Sequence, residues 1–244
     1  MPMRLRSMLT VSLACALPFT GIAVAGDAAA RPAGTGAVRS DECPGGPVDP
    51  PHPELYYCGQ ARLGPAALPN TEPVATMLRG YQRFGGLSAT HFVQLYANTD
   101  PQQSGRWIYP PDRGFQRIND VVDKTRWTVP QGTKLDRFGA LHGGYFSDPG
   151  TPFNQRSVTP DSLNPDPDRG KAYFCLSVLK PFDVWRGHTA AFYGMPGGGV
   201  QEWLDRDLKP AELGDKDYKI DVLVNEKYLA VIGDDECAVT PTGA

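Results

Sequence analysis

Apolar residues in this chain recur in short runs of changing period, and the period predicts the elements. Between Pro73 and Phe84, Val74, Met77, Leu78 and Tyr81 return at three- and four-residue intervals, the spacing of one helical face. Ser88 stands where a cap would, ahead of a second helical run whose Phe92, Leu95 and Tyr96 are expected to face inward. Pro130, Gly132 and many later breakers cut the chain into segments too short for helices. Residues 107–109, 134–138, 173–179, 182–185 and 189–193 read as strands, and 220–232 as a short helix followed by a strand. No internal repeat is visible. Two early helices followed by strands predict an α+β fold.

The first apolar run, Met8 to Ala25, follows Arg4 and Arg6 and ends in Ala23-Val24-Ala25. A positive start, an apolar middle and small residues at the end make a secretory signal, here residues 1–25, which predicts an exported, extracellular protein. No later stretch is apolar enough to span a membrane. Residues 26–57 are rich in Ala, Gly and Pro and are expected to form an extended, mobile lead-in. Export changes how the cysteines read. With Cys15 removed, Cys43, Cys58, Cys175 and Cys237 form an even set, with three pairings open. Cys43–Cys58 and Cys175–Cys237 are favoured, the first pinning the Pro-rich arm and the second tying the tail to a core strand. No C-x-x-C pair or clustered His suggests zinc.

Across 244 residues there are 24 Lys+Arg and 27 Asp+Glu, a net charge of −3 that becomes −5 once Arg4 and Arg6 leave with the signal. Nothing here is a basic footprint for nucleic acid. The usual catalytic signatures are missing as well: no G-x-S-x-G elbow, no H-E-x-x-H, no phosphate loop. The tract Gly194-Met195-Pro196-Gly197-Gly198-Gly199 lacks the strand–turn–helix setting of a dinucleotide fold and reads as a turn, with Gln201 just beyond it. His142 and His188 lie beside glycines at strand ends, with no marked nucleophile for either. Arg137 is more informative. It sits in the apolar string Leu135-Asp136-Arg137-Phe138-Gly139, with Asp136 alternating away from it, and Arg156 follows Pro152-Phe153-Asn154-Gln155 in similar fashion. Two arginines flanked by aromatics suit a ligand with phosphates and flat rings.

These strings, with Gly144-Tyr145-Phe146 and the later Pro196-Gly197-Gly198-Gly199-Val200-Gln201, resemble the tuberculosis necrotizing toxin domain family. Cys58 to Pro65 and Trp107-Ile108-Tyr109-Pro110-Pro111 are similar to its secreted fungal surface members. The resemblance implies a strongly bent antiparallel β core in residues 126–237, a helical accessory segment in 58–125 and a tail in 238–244. It implies hydrolysis of NAD+ and NADP+ to nicotinamide and ADP-ribose, with NAD+ as substrate and no cofactor. It assigns Gln201, Arg137 and Arg156 to catalysis, and Phe138, Tyr145, Phe146, Gly198 and Gly199 to substrate binding. It also implies a homodimer and an inhibitor protein as partners. Fungal relatives bind calcium near the C-terminus; Asp234-Asp235-Glu236 offers oxygen ligands here, although such a run is ordinarily a solvated end. Met195 stands where relatives often carry Gln, and residues 206–219 look inserted. The competing readings are a protein ADP-ribosyltransferase, for which Glu202 is the nearest glutamate, and an NAD-binding module without turnover.

Overall fold

The computed structural model describes residues 43–46, 48–49, 51–100, 102 and 105–238. The chain divides into residues 1–37 and 38–244, and all described residues belong to the second unit. The expected signal, residues 1–25, lies outside the described residues, as does all of the tail beyond Ala238.

Among the described residues nine strands form. A small hairpin pairs β1 (Arg117–Ile118) with β2 (Val121–Val122). The others are β3 (Thr125–Val129), β4 (Lys134–Phe138), β5 (Tyr145–Ser147), β6 (Tyr173–Val178), β7 (Phe182–His188), β8 (Val200–Trp203) and β9 (Leu229–Ile232). They make one antiparallel sheet in the order β3-β7-β8-β5-β4-β6-β9. β6 is apolar at nearly every position and buried on both faces, as a central strand must be.

Each face of the sheet carries its own core. On one side Leu135, Phe174, Leu176 and Val184 pack against Ile220 and Leu223 of α3 (Ile220–Asn225). On the other, Phe138, Tyr173 and Cys175 pack with Phe153, Leu163 and Tyr193, and with the 58–125 segment through Leu63, Met77, Phe84, Phe92 and Trp107. The accessory segment therefore shares a core with the sheet. The fold is α+β, with a mostly antiparallel sheet and a small helical segment.

The helices are shorter than their apolar spacing predicts. α1 is a single turn, Val74–Met77, because Pro73 precedes it and Gly80 follows at φ 72°. α2 (Ala89–Tyr96) is capped by the Ser88 hydroxyl, which accepts from the His91 amide at 3.2 Å. Phe92 is buried, but Leu95 is 48% exposed, because the accessory core lies on the Phe92 side of the helix. Residues 107–109 and 189–193 do not become strands. Each makes only isolated bridges, the first running into Pro110-Pro111 and the second ending at Tyr193 with φ 53°. Five strands lie outside the predicted ones: the short β1, β2 and β5, β3, which is largely polar, and β8, which follows the glycine tract. No described helix is long and apolar enough to cross a membrane.

Both favoured disulfides form, Cys43–Cys58 and Cys175–Cys237. The first, with the Tyr56–Pro65 bridge and the Gln60 side-chain bond to the Pro44 carbonyl, holds the described end of the Pro-rich arm in place. The second joins β6 to the C-terminal turn across 62 residues. Closing a loop of that length restricts the unfolded chain by about 4 kcal/mol. A Cys175→Ala/Cys237→Ala protein is expected to lose about 2–4 kcal/mol of unfolding free energy in urea, with little change in the folded far-ultraviolet spectrum.

Candidate active site

Register sets the chemistry of the sheet. Asp136 faces Ser147, Ser147 faces Gln201 and Gln201 faces Gly187, so these four positions form one row on the same face. The next outward row on that face is Tyr145, Trp203, Trp185 and Arg126. Strands β4 and β5 pair only at Asp136–Ser147, and beyond that point they splay. A cavity of about 730 Å³ opens there, large enough for a dinucleotide-sized ligand. Arg137, Phe138, Tyr145, Phe146, Arg156 and Gln201 all border it.

Arg137 spans the splay. Its Nε donates to the Ala140 carbonyl at 2.7 Å and its Nη1 to the Tyr145 carbonyl at 2.8 Å. Burial pulls its guanidinium down to about 10, and among the described residues no carboxylate pairs with it. Gly143 makes room for it: a Cβ there would lie 2.0 Å from Arg137 Nη2. Arg156 is held quite differently. Its Nη1 and Nη2 fork onto the two oxygens of Asp136 at 2.5 and 2.8 Å, and its Nε donates to the Thr151 carbonyl at 3.0 Å. Asp136 also accepts from the Tyr173 hydroxyl and the Gly150 amide, so four donors offset its burial. The Arg156 guanidinium lies 5.0 Å from the Phe138 ring centre.

Gln201 is buried, with its Nε2 donating to the Arg113 carbonyl at 3.1 Å, which leaves the amide oxygen as an acceptor. Gly198 and Gly199 do not border the cavity. They form the turn that launches β8, with the Gly198 amide on Thr189 O and the Gly199 amide on Gln155 O. A Cβ on Gly199 would meet Gln155 O and Thr151 Cγ2, both at 2.7 Å. Burial raises the Tyr145 phenol, with Arg113 and Arg137 pulling it back, and its ring stacks on Trp203 at 6.4 Å.

Of the histidines, His142 borders the cavity, whereas His188 bonds Asp123 at 2.7 Å outside it. Glu202 projects to the face opposite Gln201, where its carboxyl meets Arg186, which also pairs with Asp148 at 2.7 Å. Burial lifts Glu202 to about 8, and among the described residues its Oε2 has no hydrogen-bond partner. In the C-terminal turn, Asp234 and Glu236 are engaged by Lys171 and Lys134, and among the described residues no group of three His, Cys, Asp or Glu side chains is placed to hold a metal ion. Sequence reasoning missed Tyr109, Arg113 and Asp161, all on the cavity wall. The signal available for the first two was the Tyr109-Pro110-Pro111-Asp112-Arg113-Gly114 turn.

Asp136→Asn is expected to destabilise the protein by about 3–5 kcal/mol in urea unfolding, since it leaves Arg156 buried without its counter-charge. Glu202 generates a pH dependence of stability. A carboxyl raised in the folded chain keeps its proton where the unfolded chain, near 4.5, has lost it. Its contribution is therefore full below that range and fades as pH climbs through about 8. The melting temperature is expected to fall across this window, and Glu202→Gln to flatten the fall; an equally steep fall in Glu202→Gln would refute the assignment.

Residues 128–232 match the tuberculosis necrotizing toxin family. The chain is 38% identical over 152 residues to the conidial surface nicotinamide adenine dinucleotide glycohydrolase of Aspergillus fumigatus. That alignment covers 61% of this chain and 64% of the relative, so the chain spans somewhat under two thirds of the relative's length. Among solved structures, tuberculosis necrotizing toxin complexed with its immunity factor is similar with a TM-score of 0.44 and 18% identity, over 75% of this chain and 83% of that one. The matched segment runs from β3 to β9 and contains Arg137, Arg156 and Gln201, so it is over residues 128–232 that the chain is similar to the tuberculosis necrotizing toxin family.

Proposed function

We propose that the protein is an exported NAD+ glycohydrolase that also accepts NADP+. It cleaves the bond between nicotinamide and ribose. The observation that carries this reading is the cavity where a half-buried guanidinium with no carboxylate partner among the described residues, a buried glutamine amide and aromatic rings meet. The 38% identical relative named as a nicotinamide adenine dinucleotide glycohydrolase supports it.

The chemistry asks little of acid–base groups. As the glycosidic bond breaks, its electron pair neutralises the pyridinium nitrogen, so nicotinamide leaves without a proton and the ribose passes through an oxocarbenium-like state. Water adds at the anomeric carbon and releases one proton, giving ADP-ribose. The residues needed are those that hold and orient. In this reading Arg137 binds the diphosphate, Phe138 and Tyr145 flank the rings, and the Gln201 amide oxygen accepts from a ribose hydroxyl or the attacking water. Arg156 contributes through Phe138 and Asp136, holding the cavity wall.

The competing readings find less support. Glu202 lies on the far face of β8, away from the cavity, so it does not supply the glutamate of an ADP-ribosyltransferase. Met195 is buried in the accessory core rather than on the cavity wall, so its departure from relatives leaves the cavity lining intact. Purified protein incubated with NAD+ and no acceptor protein is expected to release nicotinamide and ADP-ribose. Gln201→Ala is expected to lower kcat by about 10²-fold or more with an unchanged melting temperature. Intact NAD+ after prolonged incubation would sink the reading, and undiminished turnover by Gln201→Ala would remove that residue from it.

A further inference from the structure

Three arginines border the cavity, and their surroundings differ. Arg156 is 5% exposed, and all three of its guanidinium nitrogens are engaged, two of them on Asp136. Turning it toward an anion would strand a fully buried carboxylate. Arg137 has no carboxylate partner among the described residues, and neither has Arg113. Arg113 is exposed at the rim, with its guanidinium 5.0 Å from the centre of the Trp203 ring. Trp203 stacks directly on Tyr145, and the Tyr145 carbonyl is the one that Arg137 grips. Both uncompensated guanidiniums lie near Tyr145, and both pull down the phenol that burial raises.

The backbone of Arg113 is as specific as its side chain. Asp112 and Arg113 both adopt positive φ, 53° and 60°, which costs non-glycine residues energy and persists only where the surroundings impose it. Here the Arg117 fork on Asp112 at 2.8 and 3.1 Å, the Gly114 amide on Pro111 O and the Ala190 amide on Gly114 O impose it. The turn so held presents the Arg113 carbonyl to Gln201 Nε2.

We propose that Arg113 is the second arginine of the cavity's anion subsite. With Arg137 it grips the diphosphate of a dinucleotide beside Tyr145, while its own carbonyl fixes Gln201. The naming of the diphosphate rests on the glycohydrolase reading; the two-arginine subsite rests on the geometry alone. Arg113 is then both a binding residue and a positioning residue, because the turn that meets the phosphate also orients the glutamine amide.

The test is calorimetric titration of the full chain with inorganic pyrophosphate, comparing the parent, Arg113→Asn and Arg113→Lys. Asn tolerates positive φ, so the first variant removes the charge while keeping the turn. Arg113→Asn is expected to weaken pyrophosphate binding about tenfold or more, and Arg113→Lys to recover part of the loss as a point charge without the fork. In turnover assays Arg113→Asn is expected to raise KM for NAD+ by a similar factor. Should Arg113→Asn not fold, Arg113→Gln gives the same readout. A parent that does not bind pyrophosphate, or an Arg113→Asn protein that binds it as tightly as the parent, would overturn the subsite. A parent that binds pyrophosphate but leaves NAD+ intact would overturn only the glycohydrolase reading.

Discussion

The buried fork of Arg156 on Asp136 is the interaction from which the rest of the site hangs. It joins a central strand to a segment 20 residues later that has no strand of its own. From that segment the Gln155 carbonyl accepts from the Thr189 hydroxyl and the Gly199 amide, which aligns the entry into β8. Arg156 Nη2 also touches Met77 Sδ at 3.5 Å, bringing the accessory segment into the same arrangement. Two charges taken from water gain little net stability against a well-packed apolar pair. What they add is geometry, since a bidentate fork with four donors on one carboxylate admits very few alternative packings.

The same pair explains why the cavity divides its arginines. An arginine that closes a loop onto the sheet must be compensated, or the loop would be lost to its desolvation cost. An arginine that is to meet an anion must be left without a carboxylate, and the remaining structure must tolerate it. Arg137 is tolerated because backbone carbonyls take two of its nitrogens and Gly143 leaves it room; Arg113 is tolerated because it stays at the rim. The β core alone does not complete this cavity. Tyr109, Pro110 and Arg113 reach it from the 58–125 segment, which is held to the sheet by a shared core running through Phe92, Trp107 and Tyr193.

What could be read beforehand follows from how local each signal is. β4, β6 and β7 are legible because their apolar patterns are set by the sheet faces they cover, and the Ser88 cap because it acts within three residues. β3 escapes because an edge strand with Thr and Arg outward shows no apolar excess. Residues 107–109 and 189–193 mislead because aromatic-rich segments that serve a core from a loop have the composition of strands without the ladder. Arg137 and Arg156 stand out locally by their aromatic-flanked strings, whereas a role for Gln201 comes only through resemblance. Nothing local could show that Asp136, which indeed turns away from Arg137, would capture Arg156, or that Arg113 would meet a glutamine 88 residues downstream.

β8 shows how finely such a site depends on register. Gln201 faces the cavity and Glu202 faces Arg186 beneath the sheet, and a slip of one residue would exchange them. The exchange would turn a carboxylate toward the cavity and leave Arg186 without its buried partner. Gly198 and Gly199 forbid it, because their amides are committed to Thr189 O and Gln155 O, and at Gly199 no side chain fits between Gln155 and Thr151. The glycine tract therefore serves the chemistry from outside the cavity. By fixing the strand's start it decides that the polar group presented to the ligand is an uncharged amide, and that the adjacent acid is kept on the other side of the sheet.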